Sequence, residues 1–162
     1  MRLREDLLVL PDGSTAAYAY VERPRFAIVA AIEDGRVWMV EQYRHPLRTR
    51  TLELPMGVAP GGDAVPIEEA ARIELREETG LTALELVHIG EITPAPALIA
   101  QSGALYLATG LTEGPQDLEP MEQGLEARPL AVDHVLSMIL SGEIRDAVTI
   151  AAFGLLRLRA II

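Results

Sequence analysis

The stretch from Pro66 to Gly80, PIEEAARIELREETG, constrains the chain more than any other segment. Proline suits the first turn of a helix and glycine accepts the left-handed conformation that ends one, so the spacing predicts a helix over Pro66 to Thr79. At about 100° per residue, Ile67, Ala71, Glu74, Leu75 and Glu78 fall on one stripe, with Glu69, Arg72 and Arg76 opposite. The face that should bury the helix therefore carries two glutamates, and Glu77 stands at its edge. Glu74, Glu77 and Glu78 are spaced i, i+3 and i+4, so their carboxylates converge. Like charges so placed repel, and moving them toward a core adds a desolvation cost. A glutamate-rich helix is commonly a solvated face, but a solvated face has no reason to share its stripe with Ala71 and Leu75. A hard divalent cation resolves the conflict. Mg²⁺ favours clustered oxygen ligands and completes its shell with water and phosphate oxygens.

The 162 residues suffice for one domain with a proper core and little beyond it. Leu7 to Leu10 and Ala16 to Val21 are strand-like runs around the turn signal Pro11-Asp12-Gly13-Ser14, which predicts an N-terminal hairpin. Phe26 to Ile32 and Val37 to Gln42 flank Glu33-Asp34-Gly35-Arg36, a second hairpin of the same logic. Arg44 to Arg50 is basic and polar and reads as a loop. After the helix, Leu84 to Ile92 and Ala104 to Ala108 read as strands, and Gly110 to Gly124 as an acidic loop rich in Pro and Gly. Ala127 to Leu130 is a last short strand, and two helices, about Val132 to Leu140 and Asp146 to Ile161, close the chain. Strands, one helix, strands and then helices point to an α/β sandwich, with residues 1–24 as a hairpin extension of a domain over 25–162.

The formal charge is −10 and aromatics are only 4% of residues. Nucleic-acid binding draws most of its affinity from Lys and Arg on phosphates, so no nucleic-acid partner is expected. No stretch reaches the roughly 20 apolar residues that span a bilayer, so no membrane partner is expected either. With no cysteine, disulfides and thiolate metal sites are excluded, which fits the reducing cytoplasm.

The tail Glu74-Leu75-Arg76-Glu77-Glu78-Thr79-Gly80-Leu81 resembles the end of the Nudix box, G-x5-E-x7-R-E-U-x-E-E-x-G-U, at every specified position. The front half departs from it. Ile73 stands at the box arginine, with Arg72 one place earlier, and Val65 stands at the first glutamate. Gly57 lies two residues upstream of the standard spacing, which reads as an insertion in the loop, with Asp63 or Glu68 as partial substitutes. Further strings resemble the branch of ADP-ribose pyrophosphatases and other nucleoside-diphosphate-sugar hydrolases. They are Leu10-Pro11-Asp12-Gly13, Glu41-Gln42-Tyr43-Arg44-His45-Pro46, Leu52-Glu53-Leu54-Pro55-Met56-Gly57 and Gly142-Glu143-Ile144-Arg145-Asp146-Ala147-Val148-Thr149.

The resemblance implies a Nudix-type α/β/α sandwich, a mixed sheet between helices, and often a homodimer in which the N-terminal strands reach the partner. It implies Glu74 and Glu78 as metal ligands, with Glu77 and the Met56 carbonyl assisting, and Mg²⁺ or Mn²⁺ as the ion. Arg44 is implied as the contact to a diphosphate, beside Glu53 and His45. A glutamate of the acidic loop, Glu122 ahead of Glu119, is implied to handle the attacking water. The activity implied is hydrolysis of a nucleoside-diphosphate sugar such as ADP-ribose to AMP and ribose 5-phosphate. GDP-mannose and dinucleotides are the alternative substrates. Because the front of the box is altered, a non-hydrolysing nucleotide-binding module is the alternative of a different class.

Overall fold

The run Phe26 to Ala31 is apolar at every position, the pattern of a strand covered on both faces, and it forms the centre of the structure. A computed structural model describes residues 1–162. Its elements are β1 (Arg2–Val9), β2 (Thr15–Glu22), β3 (Phe26–Glu33), β4 (Arg36–Arg44), β5 (Thr49–Glu53), β6 (Met56–Gly57), α1 (Ile67–Thr79), β7 (Leu81–Ile92), β8 (Ile99–Ala100), β9 (Gly103–Glu113), β10 (Glu126–Ala131), α2 (Val132–Ser141) and α3 (Ala147–Leu158). The main sheet runs β10-β4-β3-β9-β7, with β5 paired to β4 and β6 to β3. Strand β3 is parallel to β9, from Phe26 opposite Gly103 to Ala31 opposite Ala108, and the other pairings are antiparallel.

Because side chains alternate along a strand, β3 feeds two cores. Phe26, Ile28 and Ala30 join Met39, Leu54, Val135, Met138, Ile144, Val148, Phe153 and Leu156 beneath α2 and α3. Ala27, Val29 and Ala31 join Ala70, Ala71, Leu75, Ala104, Tyr106 and Ala108 beneath α1. This is the α/β/α sandwich expected from the sequence. The layer under α1 is built largely from alanine, and small side chains on both surfaces let the helix lie close to the sheet. Helix α1 ends at Gly80, whose φ of 75° suits the missing Cβ and whose amide donates to the Arg76 carbonyl at 2.8 Å.

The hairpin at Asp34-Gly35 has positive φ at both residues, 50° and 69°, as a tight turn between twisted strands requires. Elsewhere the observed elements extend the sequence reading. The segment 44–50, expected as a loop, is strand at both its ends. Arg44 pairs with Thr49 and Val40 with Glu53, which leaves only residues 45–48 as a turn, closed by Arg48 at φ 52°. Thr49 and Thr51 suit a strand, but Arg50 between them masks it. Strands β7 and β9 run further than expected, because they pair as one ribbon from Leu81 opposite Glu113 to Ile92 opposite Gly103. Strand β9 therefore passes through Gly110 into residues read as loop. Helix α3 begins on Asp146, whose carboxylate accepts from the Thr149 amide at 2.7 Å, and it ends at Leu158 rather than Ile161.

The N-terminal hairpin is longer than expected, from Arg2 opposite Glu22 to Val9 opposite Thr15. It forms a separate sheet with β8, which lies parallel to β2 at Val21 and Ile99. The Tyr18 hydroxyl fastens the ribbon by donating to the Ala97 carbonyl at 2.7 Å. Every residue of β1 is exposed. No helix is long and apolar enough to cross a membrane.

Candidate active site

Helix α1 buries Glu74 and Glu78 on the same side as Ala70, Ala71 and Leu75, leaving them only 5% and 1% exposed. Two features of β6 make room for them. A Cβ on Gly57 would collide with the Glu74 carboxylate, which would have to move from its present place. The Met56 amide donates to Glu78 Oε2 at 2.9 Å. Glu74, Glu77 and Glu78 enter none of the ion pairs of the protein. Burial, and then the charges of Glu77, Glu122 and Glu119, push the Glu74 carboxyl up to about 8. Burial also drives Glu78 well above the ordinary carboxylate range, aided by Glu74 and Glu122 and opposed by the Met56 amide and Arg44. Glu77, less buried at the rim, is raised by burial and by Glu119.

Glu119 and Glu122 come from residues 114–125, a strap between β9 and β10 that crosses the end of α1. A single 3-10 turn, Pro120–Glu122, bends the strap, and Glu122 folds back so that its Oε2 accepts from the Glu119 amide at 3.1 Å. Both acidic residues lie near enough to raise Glu74, while Glu122 alone of the two acts on Glu78.

Arg44 ends β4 on the other side of the site. Its Nε and Nη2 donate to the two oxygens of Glu53 at 2.9 and 2.5 Å, and Glu53 is 4% exposed. The Thr51 hydroxyl donates to the same carboxylate at 2.5 Å. The hydrogen bonds to Glu53 hold the Arg44 guanidinium firmly protonated and leave its Nη1 outside the pair. Glu53 is thus a buried anchor for Arg44. Arg44, Glu53, Met56, Gly57 and Glu122 line one cleft of about 480 Å³, with Phe26 and Asp146 among its other walls. His45 is not among them. It is exposed in the 45–48 turn, edge-on to Tyr43 with ring centroids 6.5 Å apart.

The donor set suits a hard cation. Two buried carboxylates lack any ion-pair partner; Glu78 accepts from the Met56 amide, and Met56 and Gly57, which touch the pair, line the cleft. No three acidic or histidine side chains form a ready-made cage. A divalent cation held here would take few ligands from the protein and the rest from water, which suits a small hard ion.

The departures in the front of the box have physical counterparts. Ile73 and Val65 both pack against the core beneath α1. Arg72 turns outward, pairing with Glu68 at 3.1 Å and donating to the Ala83 carbonyl. Asp63 braces the loop by accepting from the Arg25 amide at 2.9 Å. Sequence reasoning missed Asp146 as a wall of the cleft, Gln116 on the strap, and Thr149, whose hydroxyl accepts from the Leu54 amide at 3.0 Å. Asp146 and Thr149 stand in the string Gly142 to Thr149 and Gln116 in the acidic loop, but no local pattern in either marks the cleft.

The sequence profile of the NUDIX domain matches residues 21–148. The chain belongs to the Nudix family. Among its Nudix relatives, the ADP-ribose pyrophosphatase of Mycobacterium tuberculosis is 35% identical over 98% of this chain and 76% of its own length. The methanol dehydrogenase activator of Bacillus methanolicus is 30% identical over 98% of this chain and 86% of its own. A crystal structure of an ADP compounds hydrolase superimposes with a TM-score of 0.81 over 96% of this chain and 83% of that one, at 21% identity, and supports the fold. The chain is a Nudix pyrophosphohydrolase of the ADP-ribose-pyrophosphatase-like branch.

Raised carboxylates tie stability to pH. Between 4.5 and about 8 the folded, metal-free protein holds a proton on Glu74 that the unfolded chain releases, so stability should fall as pH rises through that window. Thermal melts of chelated protein should show this fall, and Glu74→Gln should make it shallower, leaving the part due to Glu78 and Glu77. A wild-type melting point that holds constant or rises from pH 5 to 8 relative to Glu74→Gln would contradict the assignment.

Proposed function

We propose that the chain hydrolyses the pyrophosphate bond of a nucleoside-diphosphate sugar, with ADP-ribose as substrate, AMP and ribose 5-phosphate as products and Mg²⁺ as the metal. The observation that carries this reading is the buried, unpaired carboxylates of Glu74 and Glu78 beside a cleft lined by Arg44 and Glu122. The name of the mycobacterial relative supports ADP-ribose as the substrate. Glu74 and Glu78 would hold the cation, with Glu77 at the rim and the Met56 carbonyl as a further ligand; Mn²⁺ would serve in its place. When bound, the ion supplies charge neutralisation for the diphosphate and lowers the pKa of a water.

The residues divide the rest of the chemistry. Glu53 fixes the Arg44 guanidinium by two hydrogen bonds, and Nη1 is left to donate to a phosphate oxygen of the substrate. Glu122, with Glu119 beside it, accepts the proton of the attacking water. Water oxygen bonds to one phosphorus as the bridging P–O bond breaks, and the electron pair leaves with the departing phosphate. Phe26 is the aromatic wall of the cleft available to a base.

Metal-dependent turnover of ADP-ribose, compared with GDP-mannose, UDP-glucose and a dinucleotide, tests the reading. ADP-ribose should be the fastest substrate, and Glu78→Gln should lower kcat at least about 100-fold, in the range of losing an essential electrostatic group. Nucleotide binding with no turnover of any of the four would establish a binding module instead. The exposed β1–β2 ribbon, with Leu3, Leu7 and Val9 all more than 70% exposed, is proposed as a dimer arm, since a two-stranded ribbon is marginal alone. Sedimentation should give the mass of two chains, and the mass of one would sink this part.

A further inference from the structure

The last four carbonyls of an α-helix lack partners within it, and at the end of α1 two of these belong to Glu77 and Glu78. Both find donors on the strap. The Asp117 amide donates to the Glu77 carbonyl at 3.1 Å, and the Gln116 Nε2 donates to the Glu78 carbonyl at 2.5 Å. A Cβ on Gly80 would run into the Gly114 carbonyl, so the glycine that ends the helix also lets the stem of the strap lie against it. The far end is held separately. Leu125 is buried, and Arg50 donates through Nη2 to the Gly124 carbonyl at 3.0 Å while Glu41 grips its Nε at 2.8 Å. Glu122 lies on the span between these anchors.

That span needs holding. Asp117, Glu119 and Glu122 bring negative charge to a helix end already bearing Glu74, Glu77 and Glu78, so Coulomb repulsion works to lift the strap away. A neutral donor on the strap can bind the helix carbonyl without adding to the repulsion. Gln116 is exposed and belongs to no core, so its reach to Glu78 has no packing purpose.

We propose that Gln116 is a positioning residue, tethering the strap to the carbonyl of Glu78 and so fixing Glu122 over the residues that hold the metal. The inference rests on the role given to Glu122 above. It couples the two halves of the site, because the residue whose carboxylate would bind the cation also anchors, through its backbone, the loop that would carry the base. Displacement of a reacting group by about 1 Å can cost on the order of 100-fold in rate, so a loosened tether should show in kcat rather than KM.

In the Mg²⁺-loaded enzyme acting on ADP-ribose, Gln116→Ala should lower kcat about 10-fold with KM and melting temperature unchanged. Gln116→Glu keeps the length and replaces the donor by an acceptor, so it should lose at least as much. Added to Glu122→Gln, Gln116→Ala should cause no further loss, because its effect passes through Glu122. Cleavage by a glutamate-specific protease after Glu122 should be faster in Gln116→Ala than in wild type; the Glu119–Pro120 bond resists such proteases in both. Wild-type kcat in both Gln116 variants, or a loss that adds in full to that of Glu122→Gln, overturns the inference. Unchanged cleavage overturns the tether itself. Wild-type turnover by Glu122→Gln instead sinks the role given to Glu122, and the catalytic part of the inference with it.

Discussion

Burial of the Glu74 and Glu78 carboxylates is the constraint to which the rest of the site conforms. Ionising two desolvated carboxyls side by side is costly, so without a cation Glu74 keeps its proton up to about 8, and no arginine forms an ion pair with either. The surroundings accommodate the cost at each point of contact. Gly57 gives up its side chain to the Glu74 carboxylate, Met56 offers an amide to Glu78, and an alanine-rich layer brings the helix down onto the sheet. The same helix supplies a comparison. At Ile73, and at Val65 just before the helix, where the box would have a charged residue, apolar side chains pack into the core. Where packing alone governs, this helix takes hydrophobic residues. Its retained glutamates therefore point to a cation as the missing partner.

Charge is arranged around this pair in opposite ways on its two sides. Toward β4, Arg44 is held by the buried Glu53, which Thr51 holds in turn, so one cation is presented to the cleft in a fixed orientation. Toward the strap, Glu119 and Glu122 add negative charge and depend on backbone carbonyls and Arg50 for their position. One side is suited to receiving an anionic diphosphate and the other to accepting a proton. A protein of formal charge −10 can handle an anion only if cations stand between the two.

The helix and its carboxylates were legible in the sequence because helical periodicity and the Pro and Gly at its ends are local signals. The sandwich was legible from the order of elements, and Glu74, Glu78, Arg44 and Glu53 all fall in or beside one cleft region. What the sequence concealed depends on pairing across distance. Strand β5 was masked because Arg50 interrupts Thr49 and Thr51, and its strand character comes from pairing with β4. The end of β9, Thr109 to Glu113, is mostly polar or glycine and becomes strand by pairing with the start of β7. His45 adjoins Arg44 in sequence, but the turn after β4 carries it to the surface. Gln116 carries no motif at all, and its relation to Glu78 exists only once the strap has crossed the helix end.

The central claim, that Glu74 and Glu78 form a cation site, is tested most directly by calorimetric titration of Mn²⁺ into the substrate-free protein at pH 7, repeated in buffers of different ionisation enthalpy. A carboxyl raised to about 8 must lose its proton when the metal binds, so binding should release protons and its apparent enthalpy should depend on the buffer. Both the binding and the proton release should disappear in the Glu74→Gln, Glu78→Gln double variant. Equal binding by wild type and double variant, or binding with no proton exchange, would contradict the account.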